Sequence, residues 1–309
     1  MDQEDRRRAR RSRVGGGAPD GETAGSGWLR KVRDGGHVVH DGPMTRATPP
    51  EDLDGPDLAD GLPVDPDDAR PVLVACSHGT DDPYGRAVIT HLVGQVRTLL
   101  PDVDVLETYV DVQYPQVDEV VASISPSRPV VIVPLLLSGG FHVTVDIRQA
   151  VEARVAAGSP TISAGALGPD PRLATILVDR LDEAGALAGD SVVVAAAGSS
   201  VAAATLDVDA VAADVAAAWD GPVTVGYCSA AAPRVDVAAD LARASLGGPE
   251  HGRVVLASYL LAPGFFQRRL AKAGAEIVAE PIGAHPLVAQ IVVDRYEAAL
   301  ETLRSRLTV

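Results

Sequence analysis

PVVIVPLLLSGGFHVTVDI, at Pro129–Ile147, is the stretch that decides the fold. Val130–Leu137 is uncharged, rich in β-branched residues and leucine, and bounded by turn formers, as suits a strand buried on both faces of a parallel sheet. A Ser138-Gly139-Gly140 turn follows, then Phe141-His142 and the start of a helix. In open α/β sheets ligands gather at the carboxyl ends of strands, so His142 stands where chemistry is expected. The two glycines remove side chains from that corner, letting the backbone bend and a bulky ligand approach. An imidazole there can ligate a metal or take a proton. From this stretch alone, a loop histidine without a role is an equal reading.

Outward from it, strands and helices alternate. VLVACSHGT, after Pro71, is a buried strand ending in a polar loop. The pattern predicts a helix over Ala87–Leu100, a strand over Val103–Val110 and a helix over Val117–Ser123. After the central strand it predicts a helix over Val145–Ala157, a strand over Thr161–Ala166 and a helix from Pro171 to about Leu187. Such alternation indicates βαβ units and a parallel sheet.

The pattern then repeats. Val192–Ala197 before Gly198-Ser199-Ser200 mirrors Val72–Ser77 before His78-Gly79-Thr80, and Tyr109…Pro115-Gln-Val-Asp118 is answered by Tyr227…Pro233-Arg-Val-Asp236. Val130–His142 is answered by Val254–Phe266, and Gly168…Asp179-Arg180 by Gly283…Asp294-Arg295. Four matched segments in order indicate a tandem duplication of one α/β unit. The expected organisation is a disordered Gly/Asp/Arg/Pro-rich tail (1–69), a first domain (70–188) and a second (189–309). The tail strings acidic residues with proline and glycine and cannot bury enough apolar surface to offset ordering.

Composition narrows the function classes. A formal net charge of −15 argues against a nucleic-acid partner, which needs a basic face. The basic run Arg6–Arg13 is not followed by the apolar stretch of a secretory signal, and no segment approaches the length of a membrane-spanning helix. The two cysteines, Cys76 and Cys228, sit on separate predicted strands and suit small buried apolar groups in a reducing cytoplasm. No Walker loop is present, and no GxGxxG follows a strand.

A duplication lets one half serve as a control for the other. Gly140/Gly264, Phe141/Phe265 and Pro115/Pro233 recur and are read as structural. His78 falls opposite Gly198 and His142 opposite Phe266, so both histidines belong to the first half alone. If the first and third strands are neighbours, their exits bring both imidazoles over one cleft. Two imidazoles without thiolates suit a borderline divalent metal held weakly, as a site needs if it hands the metal on. Asp111, past the second strand, is either a third ligand or a solvated loop acid.

Ser77-His78-Gly79-Thr80, Tyr114-Pro115 and Pro134–His142 with Asp146-Ile147 together resemble the class II chelatases, more narrowly the sirohydrochlorin chelatases. The resemblance covers residues 71 to about 300 and is weaker in the second half. It implies two chelatase-like (flavodoxin-like) α/β domains facing each other over a cleft that holds metal and macrocycle. It further implies catalysis by His78 and His142, which bind the incoming metal with Asp111 and take pyrrole protons. Ser77, Gly79, Ser138, Gly139, Gly140, Phe141, Phe265 and Phe266 are the expected substrate-binding residues. Asp111 stands where the family usually has a glutamate. The implied reaction inserts Fe²⁺ into sirohydrochlorin for sirohaem, with no resident cofactor and the metal ion as substrate. The alternatives are cobalt insertion for cobalamin and a non-catalytic metal- or tetrapyrrole-binding protein. Arg86, Arg148, Arg268 and Arg269 lie near the proposed loop ends and are candidate partners for the macrocycle's many carboxylates.

Overall fold

The computed structural model describes residues 70–139, 141–248 and 252–307, and for residues 141–144 the backbone alone. The tail expected to be disordered, 1–69, lies outside the described residues, as does Gly140. From Val72 the order is β1 (Val72–Ser77), α1 (Pro83–Leu99), β2 (Asp104–Tyr109), α2 (Val117–Ser123), β3 (Val130–Pro134), α3 (Phe141–Ala156), β4 (Thr161–Ser163) and α4 (Pro171–Glu183). The same order recurs as β5 (Ser191–Ala196), α5 (Ala202–Ala218), β6 (Val223–Tyr227), α6 (Val235–Leu246), β7 (Val254–Tyr259), α7 (Phe265–Leu270), β8 (Ile277–Val278) and α8 (Pro286–Leu307). The strands make two parallel four-stranded sheets, ordered β2-β1-β3-β4 and β6-β5-β7-β8. The first and third strands of each half are neighbours, with Cys76 opposite Pro134.

Side chains alternate across a strand, and the uncharged strands put apolar groups on both faces. Val72, Val74 and Cys76 of β1 face α2 and α3, meeting Val117, Val121, Ile147 and Ala150. Leu73 and Ala75 face the other way, into a core that also takes Leu92, Val93 and Val96 of α1. In the second half Val193 and Ala195 pack on Val235, Ala238 and Ala239 of α6, while Val192 and Val194 join the same large core as Leu73. One continuous core therefore lies between the two sheets.

The last helix of each half crosses over to the other. The α4 helix packs on α5 and β7, against the second sheet, and α8 packs on α1, β3 and β4, against the first. Arg172 of α4 pairs with Asp294 of α8 at 2.6 Å, and Arg295 of α8 donates to the Ala166 and Leu167 carbonyls. Full burial of Leu173, Ile176 and Leu177 on α4 and of Ile291 and Val292 on α8 contributes about 2 kcal/mol per side chain toward holding this exchange.

Several expected boundaries move. Helix α1 begins at Pro83 rather than Ala87, because Asp82 accepts from the Tyr84 and Gly85 N–H groups and Pro83 fits the first turn. The central strand stops at Pro134, not Leu137: Leu136 O and Leu137 O take Leu167 N–H and the Tyr259 hydroxyl instead of a ladder partner. Helix α3 starts at Phe141, so His142 occupies its first turn and not a loop. The strand read to Ala166 ends at Ser163, and the helix read to about Leu187 at Glu183.

The repeat register at the first strand also needs correction by one residue. Val110 and Asp111 donate to the Ser77 and His78 carbonyls, and Cys228 and Ser229 donate in the same way to Ala196 and Ala197. Gly79 and Gly198 turn with matching φ of +92° and +91°. The counterpart of His78 is therefore Ala197, and Gly198 is that of Gly79. The run of three valines and three alanines at Val192–Ala197 offers no distinctive side chain to fix the register, which hid the slip. The second half still has no histidine at this place.

Candidate functional site

A cavity of about 780 Å³ opens between the carboxyl ends of the two sheets. The exits of β1 (Ser77, His78, Gly79, Thr80) and β3 (Leu135 to Ser138) line one wall. Gly198 to Ser200 and Tyr259 to Phe266 line the opposite wall. Of the predicted site residues, Ser77, His78, Gly79, Ser138, Phe265 and Phe266 are brought together here. His142 follows β3 in the first turn of α3, at the same end of the sheet as His78. Phe141 lies beside it, and Gly140 is outside the described residues. Gly139 donates its N–H to Asp207 of the second half at 3.4 Å.

The loop carrying His78 is held from below. Gly79 adopts a left-handed φ of +92°, and a side chain there would meet the Asp111 carbonyl oxygen at 2.1 Å. Thr80 N–H donates to Gln113 Oε1 at 2.9 Å, and Arg86 Nε donates to the Thr80 carbonyl at 2.9 Å. These anchors leave His78 exposed at the cavity. Sequence reasoning missed Gln113, whose partner lies 33 residues away.

Asp111 is exposed and outside the cavity lining, and its carboxylate accepts the Val112 N–H at 2.8 Å. Among the described residues, no three His, Cys, Asp or Glu side chains cluster as a metal site. The Ser77 hydroxyl is buried and has no hydrogen-bond partner among the described residues, and Ser77 is one of the cavity-lining residues. An unpaired buried hydroxyl costs about 1–3 kcal/mol. Its counterpart in the second half is Ala196, so this group too belongs to one half.

The opposite wall is mostly apolar. Phe265 is 59% exposed and meets Phe266 edge-on at 5.4 Å. Burial holds the Tyr259 phenol protonated well above its usual range, and it donates to Leu137 O at 2.8 Å across the cavity floor. Asp82 accepts Arg268 at 2.6 Å, joining α1 to α7. The Gly85 N–H, with help from Tyr84 N–H and Arg268, keeps the Asp82 carboxyl below the ordinary carboxylate range. Burial pushes the Cys76 thiol up to about 12, which removes it as a thiolate ligand.

Of the four arginines expected at the rim, Arg268 is paired with Asp82, Arg86 supports Thr80, and Arg148 faces Glu152 at 3.8 Å. The Arg269 guanidinium sits 5.7 Å above the Phe265 ring.

A family model described as CbiX matches residues 72–184 and again 191–299. SirB from Bacillus subtilis with Fe³⁺ superposes with a TM-score of 0.64 at 17% identity, covering 74% of this chain and 95% of that one. The sirohydrochlorin chelatase SirB from Bacillus subtilis subspecies spizizenii in complex with cobalt gives 0.62 at 16%, covering 75% and 96%. CbiX, the terminal enzyme for biosynthesis of siroheme in denitrifying bacteria, gives 0.53 at 22%, covering 74% and 99%. These likenesses establish the shared fold. No curated protein matches the sequence.

Proposed function

The chain belongs to the CbiX family, with one match in each half, and from that premise we propose that it is a chelatase inserting a divalent metal into sirohydrochlorin. The observation that carries this reading is the one-sided cavity: the exposed His78, with Ser77 beside it, lines it from the first half, while Ala196 and Ala197 occupy the matching places in the second. A paired cleft with the His78 imidazole on one wall suits a flat ligand worked on from one face. The similar SirB structures hold Fe³⁺ or cobalt, and Fe²⁺ is the favoured substrate here, with Co²⁺ insertion as the alternative.

Insertion replaces the metal's water ligands with four ring nitrogens and releases two N–H protons. His78 and His142 hold the metal with exchangeable ligands and accept those protons. Asp111, past the adjoining strand, is the candidate third ligand. Ser138, with Gly79 and the backbone of Gly139, Gly140 and Phe141, borders one side of the ring, and Phe265 and Phe266 support the other. The reaction uses no resident cofactor and takes place on a soluble cytoplasmic protein.

Anaerobic absorption spectroscopy with sirohydrochlorin and Fe²⁺ or Co²⁺ tests this. Insertion faster than in buffer is expected, falling about 100-fold or more in His78→Ala and in His142→Ala, in keeping with loss of a positioned proton acceptor. Macrocycle binding without any acceleration would replace the chelatase with a carrier.

A further inference from the structure

The two halves differ in cations as well as in histidines. The bridges Tyr109 to Gln116 and Tyr227 to Arg234 are equivalent, so Arg234 replaces Gln116 at the start of the helix after the second strand. Helices α3 and α7 begin at Phe141 and Phe265, which matches Arg269 with Val145. The half that lacks both imidazoles therefore has two guanidinium groups where the first half has an amide and an aliphatic side chain. We propose that Arg234 and Arg269 form the subsite that binds the macrocycle's side-chain carboxylates, so that the second half orients the ring and the first half serves its centre.

Geometry supports the assignment. Arg269 lies over Phe265, a cavity-lining ring that is itself exposed. A stacked guanidinium keeps its N–H edges free for a carboxylate while its orientation is held. Arg234 follows Pro233, whose carbonyl accepts the N–H of cavity-lining Tyr227. Both arginines follow strands of the second sheet at its carboxyl end, Arg234 after β6 and Arg269 on the helix after β7. Neither has an ion-pair partner among the described residues, whereas Arg268 is spent on Asp82 and Arg148 on Glu152. A chain of net charge −15 repels a polycarboxylate, so attraction has to be local.

The inference rests on the chelatase reading for its choice of ligand, and the experiment separates the two. Binding of metal-free sirohydrochlorin and of a porphyrin with two carboxylates is measured by fluorescence titration. The proteins are the native chain, Arg234→Gln, Arg269→Gln, the double variant, Arg269→Lys, and Arg306→Gln as a charge control on the last turn of α8. Each glutamine variant is expected to weaken sirohydrochlorin binding about tenfold, and the double variant more. The two-carboxylate probe should lose less than threefold, Arg269→Lys should recover part of the loss, and KM should change more than kcat. Sirohydrochlorin affinities within twofold of native in variants with native melting curves would overturn the subsite, as would equal losses for both probes. If the arginine effect is present but the native chain does not accelerate insertion, the subsite stands and the chelatase reading falls. If insertion is fast and the arginines are silent, the reverse holds.

Discussion

At Gly79 the backbone turns left-handed directly after the histidine that faces the cavity, and a β-carbon would lie 2.1 Å from the Asp111 carbonyl oxygen. Gly198 repeats the turn with the Ser229 carbonyl at 1.8 Å, but it follows Ala197. The two glycines therefore carry the same conformational demand and different neighbours. Gly79→Ala and Gly198→Ala should each destabilise the fold by about 2 kcal/mol, from left-handed strain plus backbone displacement, read as lower midpoints in denaturant. Displacing His78 should also lower kcat about tenfold or more in Gly79→Ala, because misplacing a reacting group by an ångström is costly. Gly198→Ala should lower kcat much less in the folded fraction. Equal kcat losses in the two variants would remove His78 from the reaction. Ser77 shows why such a site is half legible: the sequence places it beside His78, yet its lack of a partner emerges only from three-dimensional packing.

Helix starts show the same division. Asp82 caps α1 through the Tyr84 and Gly85 N–H groups, and Val201, at the matching place before α5, has no side chain able to do so. The Asp82-Pro83 signal stands in the sequence, but apolar periodicity begins only at Ala87, so following the periodicity alone starts the helix a turn late. Leu135–Leu137 misleads in the opposite direction. Its composition continues the strand, whereas its carbonyls are taken by Leu167 N–H and the Tyr259 hydroxyl, partners remote in sequence. The four-strand alternation and the repeat were legible because they rest on local composition and on comparison within the chain. Val201→Ser should supply the missing cap and stabilise the protein by about 1 kcal/mol, raising Tm by about 2–4 °C in a chain of this size. An unchanged Tm would mean that the α5 N–H groups already have partners as good as a serine oxygen.

The exchange of α4 and α8 makes the molecule more than two linked repeats. A first half ending at residue 188 retains α4, whose apolar face packs on α5 and β7 of the second half, and lacks α8, which covers β3 and β4. Each isolated half would expose part of the shared core, including Leu73 and Val93 in one and Val192 and Val194 in the other. Polar ties add to this junction: Asp170, nearly buried, accepts Arg172 and lies 3.7 Å from Arg295, and Arg172 reaches Asp294. Residues 70–188 and 189–309 expressed separately are therefore expected to give poorly dispersed NMR spectra, and mixing them should restore native dispersion and insertion activity together. Association should also weaken in acid. The Arg172 hydrogen bonds hold the Asp170 carboxyl below its usual range, so its contribution is complete above the unfolded carboxylate pKa of about 4 and is lost as pH falls through the lower folded value. Two halves that each fold alone would show that the exchanged helices only decorate complete cores, and the cavity between the sheets would then be free to open and close as the halves part.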